Sequence, residues 1–301
     1  MNAFILDPGS PASCQPLTCT RPLAAFPVAN RPLREHQEAL LRDAGLRPVA
    51  ERAAAKVFLA GNAWLDGATL AALAVAAGPA VVRDAQGHLL AWANPGGDDP
   101  QRAEAIPAIP ECFAIVYPWD LLRLNELLVG ALVADAIQGR VSPGVTVEGH
   151  LALGEGSRLL PGVFIEGNVV IGKNCKIGPN CYLRGNTSIG DGCHVGNGVE
   201  IKNSILLAKA SVGHLSYCGD SIIGEGCNWG AGTIVGNLRH DGANHRSQVG
   251  GALVDTGRRK FGTVMGDDVH TGIHTAIYPG RKFWPHASTR PGEIVSRDLT
   301  G

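Results

Sequence analysis

Aromatic residues make up only 5% of this 301-residue chain, too few to build a base-stacking groove. Charge is scarce and balanced: 26 basic residues stand against 27 acidic ones, for a net charge of −1. The strong positive field of a nucleic-acid or acidic-membrane binder is therefore missing. No apolar run reaches the ~18 residues of a membrane span. The opening Met1-Asn2-Ala3-Phe4 lacks the basic start of a secretory signal. These absences predict a soluble, cytoplasmic protein with no nucleic-acid and no membrane partner. The 8 cysteines include no Cys-x-x-Cys pair and no zinc-finger spacing, which argues against a structural metal.

Glycine is what the chain has in plenty, and unevenly. Of 40 glycines, 10 precede residue 141 and 30 follow it, so two segments of different character join near 140. The length suffices for two domains, each with its own core. From Val141 a step of six meets Val147, Leu153, Leu159, Ile165, Ile171, Ile177, Leu183, Ile189, Val195, Ile201 and Leu207, all aliphatic. Four residues after many of these comes a compact side chain: Val163, Val169, Cys175, Cys181, Thr187, Cys193 and Val199. Neither the helical period of 3.6 nor the strand period of 2 explains a period of six. Three hexapeptides make an eighteen-residue triangular coil, and coils stack at the ~4.8 Å spacing of paired strands. The segment reads as a parallel β-helix, with a frame slip at Gly213-His214-Leu215-Ser216. Cys175, Cys181, Cys193 and Cys227 fall at inward positions as compact fillers. The repeat cannot be read between Leu238 and Phe261, a length that marks a functional or disordered loop.

The hexapeptide pattern resembles that of the left-handed β-helix acyltransferases. More closely, Gly196-Asn197-Gly198-Val199-Glu200-Ile201-Lys202, residues 213–237 (GHLSYCGDSIIGEGCNWGAGTIVGN) and DGANH (241–245) resemble the acetyltransferase half of the bifunctional glucosamine-1-phosphate N-acetyltransferase/UDP-N-acetylglucosamine pyrophosphorylases. Residues 254–274 and 278–285 are similar to the archaeal-type sugar-1-phosphate enzymes. The resemblance implies amide formation from acetyl-CoA, with no metal required and with a homotrimer as the working form. It implies catalytic roles for His214 and Asn237. It implies substrate contacts from Arg184, Lys202, Tyr217, Asn228 and His245, and acetyl-CoA contacts from Ala231 and Ile273. Arg258, Arg259 and Lys260 are the basic residues expected at the CoA phosphates. The chemistry suits these types: histidine titrates near neutrality and accepts the amine proton, while stacked cations hold a phosphate. Arg184 and Lys202 follow inward aliphatics eighteen residues apart and so emerge from one face of successive coils. Two positions depart from the family: His245 stands where it has lysine, and Ile273 where it has a CoA-contacting serine.

Residues 16–45 resemble the start of sugar-nucleotide pyrophosphorylases, with Pro-Val-Ala-Asn at 27–30. The family's Gly-x-Gly-Thr-Arg phosphate loop is Gly9-Ser10-Pro11-Ala12-Ser13 here, and the lysine after its Thr-Arg pair is Leu23. Pro11 has no N–H to offer a phosphate, so nucleotidyl transfer loses its cradle. The expected organisation is a degenerate, truncated Rossmann-like α/β nucleotidyltransferase domain (1–117), a linker helix (118–140) and an all-β left-handed β-helix (141–301) with a long loop at 238–261. The acceptor is expected to be glucosamine 1-phosphate or galactosamine 1-phosphate, or a nucleotide sugar. Three alternatives stand: a sugar-nucleotide-binding pseudoenzyme, a sugar-1-phosphate nucleotidylyltransferase, and a gamma-type carbonic anhydrase binding zinc through His214, His240 and His245.

Overall fold

The structure, a computed structural model, describes residues 1–93 and 104–300, which form two compact units. The larger unit is a parallel β-helix with three faces. Face 1 begins at Ala136–Ile137 and has eight strands, face 2 begins at Arg140–Val141 and has seven, and face 3 begins at Thr146–Glu148 and has eight. Every strand pairs in parallel with its equivalent one coil away, as in Val141 with Leu159, Leu159 with Ile177 and Ile177 with Val195. From Leu151 onward the repeated aliphatics and the inward cysteines fill one continuous core. Each such side chain contributes about 1.5–3 kcal/mol by leaving water. All cysteines are free thiols, and burial pushes Cys181, Cys218 and Cys227 up to about 12, so they stay protonated fillers.

The frame slip lies elsewhere than the hexapeptide count predicts. Ile189 pairs with Leu206 and Ile201 with Cys218, both seventeen residues on, so the missing residue falls at Asn203-Ser204. The next coil repeats the shortening at Asp220-Ser221, where Leu206 pairs with Ile223. Both shortened corners join face 3 to face 1, and Asn203 (φ 46°) and Asp220 (φ 52°) take the left-handed backbone they require. The count misses the deletion because Leu207, the residue after the true inward Leu206, is itself aliphatic and buried. Gly213-His214-Leu215-Ser216 is instead an ordinary corner between faces 2 and 3.

The excursion leaves the coil after Val235 and returns at Val264. It contains an antiparallel hairpin, Arg246–Val249 with Ala252–Asp255, turning at Gly250-Gly251. That Gly-Gly pair was the sequence signal for the turn. Ser247 pins the hairpin by donating to the Gly280 carbonyl at 3.0 Å.

The helix Pro118–Gly130 starts where the Asp120 carboxylate accepts the Tyr117 N–H at 2.8 Å. It ends well short of residue 140, and the first coil strands lie inside the stretch read as linker. Its buried Asn125 bridges three segments: it accepts from the Ala29 N–H and from Ser188 Oγ, and donates to the Asn186 carbonyl. Residues 12–21 and 27–30 belong to this same unit. Thr20 Oγ donates to Asp267 at 2.6 Å, Arg21 pairs with Asp267 and Glu225, and Asn30 donates to the Ile189 carbonyl. The stretch that begins at the end of the altered phosphate loop thus braces the β-helix.

The smaller unit has a mixed six-stranded sheet, in spatial order Arg47–Pro48, Asn2–Ile5, Val57–Leu59, Leu89–Ala93, Ala80–Arg83 and Glu104–Ile106. Leu41 of the helix Leu33–Asp43 and Leu70 and Leu73 of the helix Gly67–Ala74 pack with Ala3, Ile5, Val57 and Leu59 of the strands. Among the described residues no helix is long and apolar enough to cross a membrane.

Candidate active site

Four of the expected site residues meet where face 3 turns into face 1. Arg184 and Lys202 are directly paired in register on successive coils. The sequence alone suggested two bare cations awaiting a phosphate; each has a carboxylate partner instead. Arg184 Nε bonds Glu200 at 2.7 Å, and Lys202 Nζ bonds Asp220 at 2.7 Å. Asp220 is the hub, with its side chain only 3% exposed. Its carboxylate also accepts from Asn203 Nδ2 at 3.1 Å and from Asn237 Nδ2 at 2.6 Å. Asn237 Nδ2 in turn lies 2.9 Å from the Tyr217 hydroxyl. On the far side Asn203 reaches Glu126 of the helix Pro118–Gly130, and Glu126 holds Arg258. Three carboxylates thus answer three cations.

Asp220, Glu200 and Glu126 were not singled out in the sequence. The signal for Asp220 was the shortened corner itself, visible only once the register is known. Glu126 comes from a helix distant in sequence, and no local pattern points to it.

Burial, with the nearby Asp220 and Glu200 carboxylates, pushes the Tyr217 phenol up to about 12. Tyr217 therefore stays neutral at physiological pH and keeps its proton for donation. An absorbance titration of the 4 tyrosines should resolve one ionising near 12, and Asp220→Asn should lower that step by removing a negative neighbour.

His214 stands at the corner between faces 2 and 3, with its ring exposed and Asn197 paired one coil before it. The next corner residue, Leu215, is left-handed (φ 49°) and 64% exposed. Corner turns stack above it: the Gly232 N–H donates to the His214 carbonyl, His274 N–H to Ala231, and Gly292 N–H to Ile273. His214, Ala231 and Ile273 accordingly form one column running along the helix axis, with His214 and Ile273 exposed and Ala231 half-buried. His194, on face 2, is held below the ordinary histidine value by burial, Lys176 and His214.

The other expected residues are placed differently. Asn228 points out of face 2, paired between Ser211 and His270. His245 is 2% exposed, and its Nε2 lies 2.9 Å from the Asn237 carbonyl, so it touches the network through Asn237. Burial holds its imidazole below the ordinary value, which keeps it neutral. Arg258 is tied to Glu126, Arg259 Nε donates to the Gly242 carbonyl, and Lys260 is exposed. Among the described residues no three His, Cys, Asp or Glu side chains are grouped to hold a metal ion, so His214, His240 and His245 do not converge.

The basic residues of the long loop, Arg239 and Arg246 among them, and Arg281 beyond it were legible in the sequence as suited to anionic groups, whereas the two cavities they border were not. Arg239, Arg246 and Arg281 line one cavity of about 560 Å³ together with Tyr278. A second, more apolar groove of about 750 Å³ adjoins it, lined by Ile234, Leu238, Ala276 and Pro279. The two share Arg239, Tyr278 and Pro279.

With this geometry in place, similarity to known proteins can be set beside it. The family described as the GMPPB C-terminal domain matches residues 165–288. A bifunctional sugar-1-phosphate nucleotidylyltransferase/acetyltransferase of Sulfurisphaera tokodaii is 39% identical over 182 residues, 60% of this chain and 45% of that one. The bifunctional protein GlmU of Methanocaldococcus jannaschii is 40% identical over 182 residues, 60% of this chain and 44% of that one. The chain thus spans less than half the length of these relatives. The UDP-N-acetylglucosamine acyltransferase of Francisella novicida aligns at 19% identity and a TM-score of 0.28, over 55% of this chain and 62% of that one.

Proposed function

We propose that this chain, a hexapeptide-repeat relative of the bifunctional sugar-1-phosphate nucleotidylyltransferase/acetyltransferases, is a CoA-dependent N-acetyltransferase. Its acceptor is the amine of an amino-sugar 1-phosphate, with glucosamine 1-phosphate and galactosamine 1-phosphate as the smallest candidates. The observation that carries the reading is the placement of an exposed corner histidine and a buried polar network on one coil, since Tyr217 opens face 3 immediately after the His214 corner. The amine nitrogen attacks the thioester carbonyl directly. The C–N bond forms, the C–S bond breaks, His214 takes the amine proton, and the departing sulfur is protonated to CoA thiol. Asn237 and Tyr217 orient the acceptor, and Arg184 and Lys202 bind its phosphate by exchanging part of their carboxylate bonds. Acetyl-CoA lies along the column of His214, Ala231 and Ile273. The smaller unit, with Pro11 in its altered loop, carries no nucleotidyl transfer in this reading. Mass-spectrometric detection of the N-acetylated sugar phosphate tests it; an unmodified acceptor after prolonged incubation with acetyl-CoA counts against it.

The working form in this reading is a homotrimer. Arg140, Arg158, Lys176 and His194 stack in register down face 2, and no ion pair among the described residues engages the first three. Like charges at ~4.8 Å spacing repel unless something acidic covers them. Glu148 and Glu166, exposed in register on face 3, are suited to cover them from a second copy. Light scattering should give three times the 31.4 kDa chain mass, and Arg158→Glu should lower it. A monomer mass for the unaltered protein contradicts the assembly.

A further inference from the structure

The cavity under the 246–255 hairpin has no part in the chemistry above, yet its lining is that of a binding site. Arg239, Arg246 and Arg281 converge on it, with Asp255 the only acidic residue in its lining. Arg239 is partly neutralised by Asp241. Among the described residues Arg246 makes no side-chain hydrogen bond, and Arg281 bonds the Pro279 carbonyl at a long 3.4 Å with the Asp298 carboxylate near enough to feel its charge. Two guanidinium groups thus keep most of their donor forks free, in the geometry that suits phosphate oxygens. At about 560 Å³ the cavity is larger than one phosphate needs.

The adjoining groove has a different chemistry. Its walls are mainly aliphatic, with Ile234 45% and Leu238 52% exposed and with Arg239, His240 and Asp241 also in the lining, and Tyr278, 56% exposed, stands where the two spaces meet. A ligand filling both spaces carries a multiply charged anionic part next to a flat, largely apolar one. The location narrows the choice further. Ile234 is paired with Tyr217 one coil below it, and Ala276 with Ile234 one coil above. The groove therefore begins one coil beyond the acceptor-contacting tyrosine, about 5 Å along the same face. The column assigned to acetyl-CoA runs along the corner where that same face opens, with Ala231 and Ile273 just before Ile234 and Ala276 in the chain.

We propose that the hairpin cavity and its groove form a subsite for a nucleoside diphosphate, so that the acceptor is an amino sugar in nucleotide-linked form. The inference rests on the acetyltransferase reading for the direction of the sugar, and on the cavity alone for the nucleotide. The arginines take the diphosphate, and the base lies on Tyr278 in the groove. The hairpin, Gly-Gly turn included, is the part of the long loop that builds the anionic end of the site. The same chemistry is present in the nucleotide end of CoA, which the test has to separate.

Calorimetric titration of the whole protein with UDP, with adenosine 3′,5′-bisphosphate and with inorganic pyrophosphate reads the subsite without any turnover. UDP is expected to bind saturably, at least tenfold more tightly than pyrophosphate, and Arg246→Gln with Arg281→Gln is expected to weaken it at least tenfold. Both substitutions are at side chains without structural ion pairs, so the fold is retained, and an unchanged melting temperature verifies this. Preference for the adenosine bisphosphate over UDP assigns the subsite to the acetyl donor and overturns the acceptor proposal. Absence of UDP binding, or binding indifferent to the two arginines, overturns the subsite altogether. A protein that binds UDP in this way but transfers no acetyl group keeps the subsite and loses the acetyltransferase reading. One that transfers acetyl with an acceptor KM indifferent to both arginines does the reverse.

Discussion

His214→Ala is expected to lower kcat for the proposed acetyl transfer by about 10²–10⁴-fold, the range for removal of a positioned general base. The fold does not suffer, because the ring is exposed and the bonds that hold its corner come from the His214 backbone carbonyl. The change in stability stays within about 0.5 kcal/mol, as for ordinary surface substitutions. KM for acetyl-CoA changes little, since Ala231 and Ile273 lie on neighbouring corners and do not depend on the imidazole. His214→Gln gives the same kcat loss, because an amide fills the space but cannot accept the amine proton. A kcat within threefold of the unaltered enzyme, with normal folding, removes His214 from the chemistry. The measurement is a steady-state rate series at saturating acetyl-CoA.

The second large effect is on stability and falls at Asp220. Its side chain and that of Lys202 are 3% and 13% exposed, and Asn203 and Asn237 donate to the same carboxylate. Asp220→Ala leaves the buried Lys202 ammonium group without its counter-charge and takes one acceptor from each of two amides, which keep only Glu126 and the Tyr217 hydroxyl. Breaking one partner of a buried pair costs about 3–5 kcal/mol. That corresponds to a fall in Tm on the order of 10 °C for a domain of this size. Asp220→Asn keeps an acceptor oxygen, loses the charge, and destabilises less. Differential scanning calorimetry of both variants decides the matter, and a Tm unchanged in Asp220→Ala contradicts the hub. Activity falls in both, because Asn237 and Lys202 lose the group that fixes them.

How much of this was legible beforehand depends on the kind of signal. The β-helix was readable because inward aliphatics at every sixth position are a local pattern that survives any error in the corners. The register was not. Leu207 imitates the inward residue that is in fact Leu206, so the count slides past a deletion at Asn203-Ser204. That slide concealed Asp220, whose meaning comes from sitting at the second shortened corner beside Lys202. The pairing of Arg184 with Lys202 across coils was legible from their spacing, whereas their acid partners were not. Glu200 falls on the same strand as Lys202 and Glu126 on a helix 77 residues before Asn203, and neither separation is periodic. His245 was legible as a departure from a motif, but its burial against the Asn237 carbonyl is a property of the excursion's return path. The arginine cavity was illegible for the same reason: Arg239, Arg246 and Arg281 come from the start of the loop, its hairpin and the coil beyond. In the first unit, Pro11 announced a lost phosphate loop, but only the fold shows Thr20 and Arg21 bonded to Asp267 of the β-helix.

Acetyl transfer to an amino sugar is read most directly by the release of CoA thiol. The purified protein is supplied with acetyl-CoA and, in separate reactions, glucosamine 1-phosphate, galactosamine 1-phosphate and a uridine-diphosphate-linked amino sugar. Acceptor-dependent CoA release is expected, lost in His214→Ala, with the nucleotide-linked acceptor showing the lowest KM. Folded protein that releases no more CoA with any of these acceptors than without one contradicts acetyl transfer to an amino sugar.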